Sequence, residues 1–206
     1  MFYFVKTPWL LKKIYGGCIW NINTEKKIVY LSFDDGPHPV ATPFILDELK
    51  KYNAKATFFC IGKNVIAEPG TYGKILHDGH RVGNHTHNHL NGWKTKDEDY
   101  FKDIQLAARY IDSNLFRPPY GRISHFQLAH LRSSFNYKVV MWDVLSADFD
   151  KSVTAEKCAK NVTGHAKPGS IIIFHDSTKA FERLETALPV VLNHFTAEGY
   201  VFESIF

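Results

Sequence analysis

The stretch Ile28–His38, IVYLSFDDGPH, decides how the chain is read. An apolar, β-branched run rises to Phe33 and stops at two adjacent carboxylates, Asp34 and Asp35, followed by Gly36-Pro37. Its length and composition predict a strand buried on both faces, and the Gly-Pro pair marks its end. Such strands belong to α/β sheets or barrels, where chemistry sits just beyond the C-terminal strand ends. Two like charges at that point are costly unless a cation or a proton offsets them. The ordinary alternative is an exposed Asp-Asp-Gly turn.

The chain around it has 206 residues, enough for one domain with a substantial core. With 45% hydrophobic and 15% aromatic residues, disorder is excluded. The 25 Lys and Arg against 21 Asp and Glu are unclustered, so no nucleic-acid partner is expected. Three cysteines, Cys18, Cys60 and Cys158, lack CxxC spacing and argue against a disulfide framework or a zinc ribbon. Cys60, within Ala56–Ile61, reads as a small core residue.

Residues 1–27 form an aromatic-rich lead-in whose apolar stretches are interrupted by Lys6, Lys12 and Lys13. They are too short to span a bilayer, and no cleavage site follows, which gives the expectation of a cytoplasmic protein. The lead-in is expected to pack on the barrel, over its bottom, with a peripheral membrane contact as the alternative. Residues 28–206 make up the single domain. Nothing in the sequence assigns an oligomeric state.

Along the chain, β-rich runs alternate with helical patterns. Strands are predicted at Ile28–Phe33, Lys55–Ile61, His80–Gly83, Leu115–Phe116, Tyr137–Trp142, Ser170–Phe174 and Tyr200–Phe202. Between them, Phe44, Ile45, Leu46 and Leu49 supply one apolar helical stripe, and Leu184, Leu188, Val191 and Phe195 another. Thr95 with Glu98 reads as a capping box, and Ser124 as an N-cap. Seven strands alternating with helices predict successive β-α units.

The reactive residues fall just after the strands. His85 and His89, four apart, would lie on one side of a helical turn, as two ligands of one metal need. Asp35 would add an oxygen, a set suited to Zn²⁺, with Co²⁺, Ni²⁺, Fe²⁺ and Mn²⁺ as alternatives. His77, His80 and His87 lie nearby, so a merely His-rich loop is the competing reading, and His87 is left off the metal. Asp34 is a candidate general base with Arg117 fixing its charge, and His175 a candidate general acid oriented by Asp148. The N–H of Tyr120, held by Pro118, Pro119 and Gly121, is a candidate oxyanion donor. Trp142 is a candidate pocket wall, with a role in the core as the alternative.

Five ordered motifs then carry a resemblance: Ser32-Phe-Asp-Asp-Gly36, His85-Thr-His-Asn-His89, Arg117-Pro-Pro-Tyr-Gly121, Asp148-Phe149 and Ile172-Ile-Phe-His-Asp176. From about Ile28 to the C-terminus the chain resembles the polysaccharide deacetylases of the NodB-homology type, carbohydrate esterase family 4. The resemblance implies a distorted (β/α) barrel of seven strands in a single α/β domain. It implies Asp34 as base, Asp35, His85 and His89 as metal ligands, Arg117 ordering the base, and Tyr120 facing the oxyanion. His175 with Asp148 would be the acid and its partner. Pro119, Trp142 and Phe149 would meet the substrate, Phe149 standing where another aromatic, often Trp, is usual. The implied activity is metal-dependent removal of N-acetyl groups from a glycan containing N-acetylglucosamine, with an N-acetylated carbohydrate as partner and no organic cofactor. Alternatives are an O-acetyl esterase or other amide hydrolase at the same site, and a non-catalytic carbohydrate-binding protein.

Overall fold

In the computed structural model, which describes residues 3–206, α1 (Trp9–Ile14) precedes β1 (Ile28–Asp34). Then follow α2 (Ala41–Lys51), β2 (Ala56–Cys60), α3 (Gly62–Ala67), α4 (Pro69–His77) and β3 (Arg81–Asn84). Next come α5 (Asp97–Ala108), β4 (Leu115–Phe116), a 3₁₀ turn (Pro119–Gly121), α6 (His125–Ser133) and β5 (Lys138–Val139). The last elements are β6 (Val144–Leu145), α7 (Ala155–Thr163), β7 (Ile171–His175), α8 (Thr178–Ala197) and β8 (Val201–Phe202). No helix among the described residues is long and apolar enough to cross a membrane.

All strand pairs are parallel, and the path runs β5-β4-β3-β2-β1-β7-β6. Helices make every crossover except one. Between β5 and β6, at opposite ends of the path, lie only residues 140–143. The sheet therefore curls until its two outer strands almost meet, and a covalent seam rather than a hydrogen-bonded ladder joins them. The barrel path has the expected seven strands, with different membership. β8 lies off the path, pairing only with the start of β1. The predicted strand Tyr137–Trp142 shrinks to β5, because the carbonyls of Val140 and Met141 turn to a side chain, Arg117, while Asp143 leads into β6.

The period-2 alternation of β1 sorts its residues. Val29, Leu31 and Phe33 join the core formed with α2 and α8, against Ile45, Leu49, Leu188 and Val191. Tyr30, Ser32 and Asp34 take the opposite face, where Tyr30 packs with Phe59, Leu115 and Val140. All three cysteines are free and buried.

The lead-in packs on the barrel, running first along the seam and reaching the bottom only with its last residues. Leu145 N–H donates to Val5 O (2.8 Å) and Thr7 N–H to Asp143 O (2.9 Å), covering the β6 edge. Ile19 N–H donates to Val139 O, and Met141 N–H to Ile19 O, covering the β5 side. Its last residues reach the N-terminal strand ends, Asn21 and Ile22 at Ser170 and Gly169 and Lys27 O accepting from Val201 N–H. Lys6 and Lys12 converge on buried Asp143 at 2.6 and 2.5 Å. Backbone groups that an open barrel would leave unpaired at its seam are thus satisfied.

Two cap predictions diverge. Ser124 forms a complete capping box with Gln127. Thr95 does not cap α5, which starts two residues later behind Lys96. Glu98 pairs with Lys102 instead, and the acidic first turn Asp97–Asp99 supplies the favourable charge at that end.

Candidate active site and metal centre

The C-terminal ends of β1, β3, β4, β6 and β7 deliver the predicted residues to one place. Asp34 ends β1, and its Oδ1 accepts from Arg117 Nη1 at 2.7 Å. Arg117 is fully buried, and three further N–H groups donate to Ser32 Oγ (2.8 Å), Met141 O (2.9 Å) and Val140 O (3.2 Å). Its guanidinium also lies 4.0 Å from the Phe59 ring centre. One side chain therefore ties β1, β4 and the seam together while neutralising one carboxylate oxygen. The other oxygen of Asp34, Oδ2, faces His85 Nε2 at 3.7 Å.

Asp35 Oδ1 lies 3.1 Å from His89 Nε2 and 3.8 Å from His85 Nε2, and one donor atom from each of the three falls within 4.8 Å of the others. Ligand bonds of about 2.0–2.2 Å put the donors of one tetrahedral ion roughly 3.3–3.6 Å apart, so small side-chain movements suffice to close on a divalent cation. The second contacts of the imidazoles agree. His85 Nδ1–H donates to Arg117 O (2.7 Å), which leaves Nε2 as the lone-pair atom facing the site. His89 Nδ1 lies 3.1 Å from Tyr120 Oη. Burial holds the His85 imidazole down at about 4, so it is neutral at physiological pH, as a ligand must be. Burial works against ionisation of Asp35, but His89, His175 and His85 outweigh it and hold its carboxyl well below the usual carboxylate range.

The histidine pair is not on a helical turn. Thr86 and His89 both take left-handed backbone conformations (φ 65° and 59°), and the segment is a loop. Side chains impose that shape: Asn84 Oδ1 accepts from Thr86 N–H, Thr86 Oγ1 from Leu90 N–H, and Asp103 from the N–H groups of His87 and Asn88. The spacing argument places His85 and His89 side by side, and they do meet, but through a loop rather than a helical turn. Asp35 and Tyr120 also have positive φ (87° and 60°). Each such non-glycine residue costs about 1–2 kcal/mol, so the metal side of the site is held in shape by its surroundings.

Opposite them, Asp148 accepts from His175 twice, from Nδ1–H at 2.7 Å and from the backbone N–H at 2.7 Å. Burial pulls the His175 imidazole down, but Asp148, by charge and hydrogen bond, together with Asp35 and Asp34, raises it to about 9. Tyr120, forced out of helical geometry after Pro119, leaves its own N–H without a hydrogen bond among the described residues. Gly121 is required there, because a Cβ on it would meet the Trp142 ring at 2.7 Å. Trp142 is half-buried against this turn, and half-buried Phe149 packs edge-on to His175 at 5.3 Å. Pro119, expected among the substrate contacts, is buried and sets the turn instead.

Several supporting residues carried no signal of their own in the sequence. Thr42, Asn84, Asp103 and Asp143 are buried polar side chains found only once their partners are known. Asp176 anchors the turn after β1, its Oδ1 accepting from Gly36 N–H (2.8 Å) and its Oδ2 from Thr42 Oγ1 (2.6 Å).

Residues 21–140 match the family model described as polysaccharide deacetylase. A peptidoglycan-N-acetylglucosamine deacetylase of Bacillus cereus is 33% identical over 196 residues, covering 92% of this chain and 92% of the relative. A chitooligosaccharide deacetylase of Azorhizobium caulinodans is 32% identical over 162 residues, 75% of this chain and 76% of its own. Among solved structures, a peptidoglycan N-acetylglucosamine deacetylase superposes with a TM-score of 0.86 at 32% identity, covering 97% of this chain and 95% of that one.

Proposed function

The chain belongs to the polysaccharide deacetylase family, and on that premise we propose that this site hydrolyses the N-acetyl amide of a glycan containing N-acetylglucosamine. The observation that carries the reading is the convergence of Asp35, His85 and His89 beside two further charged pairs, Asp34–Arg117 and His175–Asp148. Asp35, His85 and His89 are the proposed holders of a divalent cation, which supplies Lewis-acid polarisation of the amide carbonyl and acidifies water. Two imidazoles and one carboxylate with positions left open suit zinc, the proposed ion.

The residues of the chain divide the remaining work. Asp34, with Oδ1 engaged by Arg117 and Oδ2 turned toward the side of His85, takes the proton of the attacking water. The unpaired N–H of Tyr120 donates to the carbonyl oxygen as it becomes anionic. His175, kept protonated by Asp148, delivers a proton to the departing amine nitrogen, and acetate and a free amino sugar result. Trp142 and Phe149 line the approach.

Acetate release from chito-oligosaccharides, measured together with bound metal for wild type and Asp34→Asn, tests this reading. The expected result is full metal content in both proteins and a rate at least about 10²-fold lower in the variant. Equal rates with metal bound in both would overturn the assignment of the base. Reconstituting metal-free protein with zinc, cobalt, nickel, iron or manganese ranks the ions.

A further inference from the structure

Beside the metal loop an exposed tryptophan is held rigidly and stacked on an arginine. Trp93 is 55% exposed, yet its indole N–H donates to Ile123 O at 2.9 Å and its backbone N–H to Asn91 Oδ1 at 3.0 Å. The guanidinium of Arg122 lies 4.3 Å from the centre of that ring. The loops bearing the two residues touch backbone to backbone. A Cβ on Gly92 would lie 2.5 Å from Arg122 O, and Gln127 Nε2 donates to Gly92 O at 2.8 Å. Among the described residues Arg122 has no ion pair and no side-chain hydrogen bond, so its donors are all available.

Both residues adjoin the centre described above. Trp93 is four positions past His89, and Arg122 is two past Tyr120, whose hydroxyl meets His89. A large apolar ring fixed in solvent is an unfavourable surface to maintain unless something covers it. Its rigidity also removes the ordering entropy that a mobile side chain would lose on binding. The C–H face of a pyranose complements such a ring. A stacked guanidinium with free N–H groups complements a carboxylate, and among the described residues no acidic side chain takes that place.

We propose that Trp93 and Arg122 form a glycan subsite next to the catalytic centre, in which a pyranose packs on the indole and a carboxylate carried by that pyranose pairs with the guanidinium. The subsite rests on the deacetylase reading above and narrows its substrate to a glycan in which a carboxylate-bearing amino sugar, such as N-acetylmuramic acid, neighbours the N-acetylglucosamine that is cleaved.

The test compares two tetrasaccharides, one of N-acetylglucosamine alone and one alternating it with N-acetylmuramic acid, on wild type, Trp93→Ala, Trp93→Phe, Arg122→Ala and Arg122→Lys. Arg122→Ala is expected to lower kcat/KM about tenfold on the acidic glycan, through KM, and to leave the neutral one within about twofold. Arg122→Lys recovers part of the loss. Trp93→Ala is expected to lower kcat/KM on both tetrasaccharides about tenfold, with Trp93→Phe recovering part of it, while an N-acetylated monosaccharide is unaffected. Equal effects of Arg122→Ala on both glycans, or none on either, overturn the subsite. A wild type inactive on both glycans overturns the deacetylase reading instead. Calorimetric binding of the two glycans to Asp34→Asn protein, with and without Arg122→Ala, then still decides the subsite by whether the preference for the acidic glycan disappears.

Discussion

Arg117 Nη1 sits 2.7 Å from Asp34 Oδ1 in an ion pair that is almost wholly closed to solvent, with side-chain exposures of 0% and 4%. Charges removed from water to this degree need hydrogen bonds beyond the pair itself, and Arg117 makes three, to Ser32, Val140 and Met141. The arginine is thus both a seam strut and the partner of the proposed base.

This double role predicts an asymmetric mutational result. Arg117→Ala strands a buried carboxylate and frees two seam carbonyls, so it should cost about 3–5 kcal/mol of stability, read as a lower denaturant midpoint. Arg117→Lys keeps a charge but cannot reach Ser32, Asp34, Val140 and Met141 together. It should fold at reduced stability with kcat lowered by about 10²-fold, since the base loses its fixed orientation. A lysine variant with wild-type kcat would show that the guanidinium is structural only.

The His175–Asp148 pair predicts where activity fails on the alkaline side. Held at about 9 against an ordinary 6.5, His175 keeps its proton throughout the neutral range. A general acid so tuned gives kcat/KM a descending limb near that value. Asp148→Asn removes the charge and one of the two accepting oxygens, and the limb should move toward about 6.5 as kcat falls. The stability linkage has the same sign. The folded state binds this proton more tightly than the unfolded chain, so the contribution is full below 6.5 and disappears as pH rises through 9. An unshifted alkaline limb in Asp148→Asn would remove His175 from the role of acid.

Much of this site is legible in the sequence because barrel strands announce their own ends. A β-rich run followed by Asp-Asp-Gly, His-Thr-His or His-Asp puts a reactive side chain at a strand terminus whatever the flanking loops do. Local backbone shape is less legible. The His85–His89 loop is bent by adjacent Asn84 and by Asp103, which lies fourteen residues beyond His89 on another element, so a window around the histidines contains only part of the cause. The seam escapes for the same reason: Asp143 is one more polar residue until Lys6 and Lys12 are seen to close on it. β6, two residues long between Asp143 and Ser146, offers no periodicity to read.

Tyr120 has two separable functions, and one substitution divides them. Its hydroxyl meets His89 Nδ1 at 3.1 Å, whereas the proposed oxyanion contact uses its main chain. Tyr120→Phe removes only the first. Zinc affinity, measured by competition with a chromogenic chelator, should fall by about tenfold or more, the usual consequence of losing a ligand's outer hydrogen bond. With zinc saturating, kcat should stay within about threefold of wild type, since the N–H remains. Unchanged affinity would mean that the hydroxyl does not orient the ligand.

Asp176 makes the last prediction, because its carboxyl is fully enclosed while serving the turn that carries Asp35. Burial, with help from the Asp35 charge and against the Thr42 and Gly36 hydrogen bonds, raises it to about 8. The folded state therefore favours the neutral acid, and the contribution to stability is full below the ordinary 3.8 and falls as pH rises through 8. Asparagine reproduces that neutral form, accepting from Gly36 N–H and donating to Thr42 Oγ1. Between pH 7 and 8 the metal-free wild type should lose stability from both Asp176 and His175, while Asp176→Asn loses it from His175 alone and shows the shallower decline in denaturant midpoint. His85, held at about 4, has already delivered its opposite contribution above 6.5 and does not disturb this window. Gly36→Ala is the structural counterpart: its Cβ would fall 1.9 Å from Asp176 Oδ2, so the turn must move and carry Asp35 with it. That variant should lose zinc binding at every pH, whereas Asp176→Asn should keep it, and equal zinc affinity in Gly36→Ala and wild type would show that the turn does not set the position of Asp35.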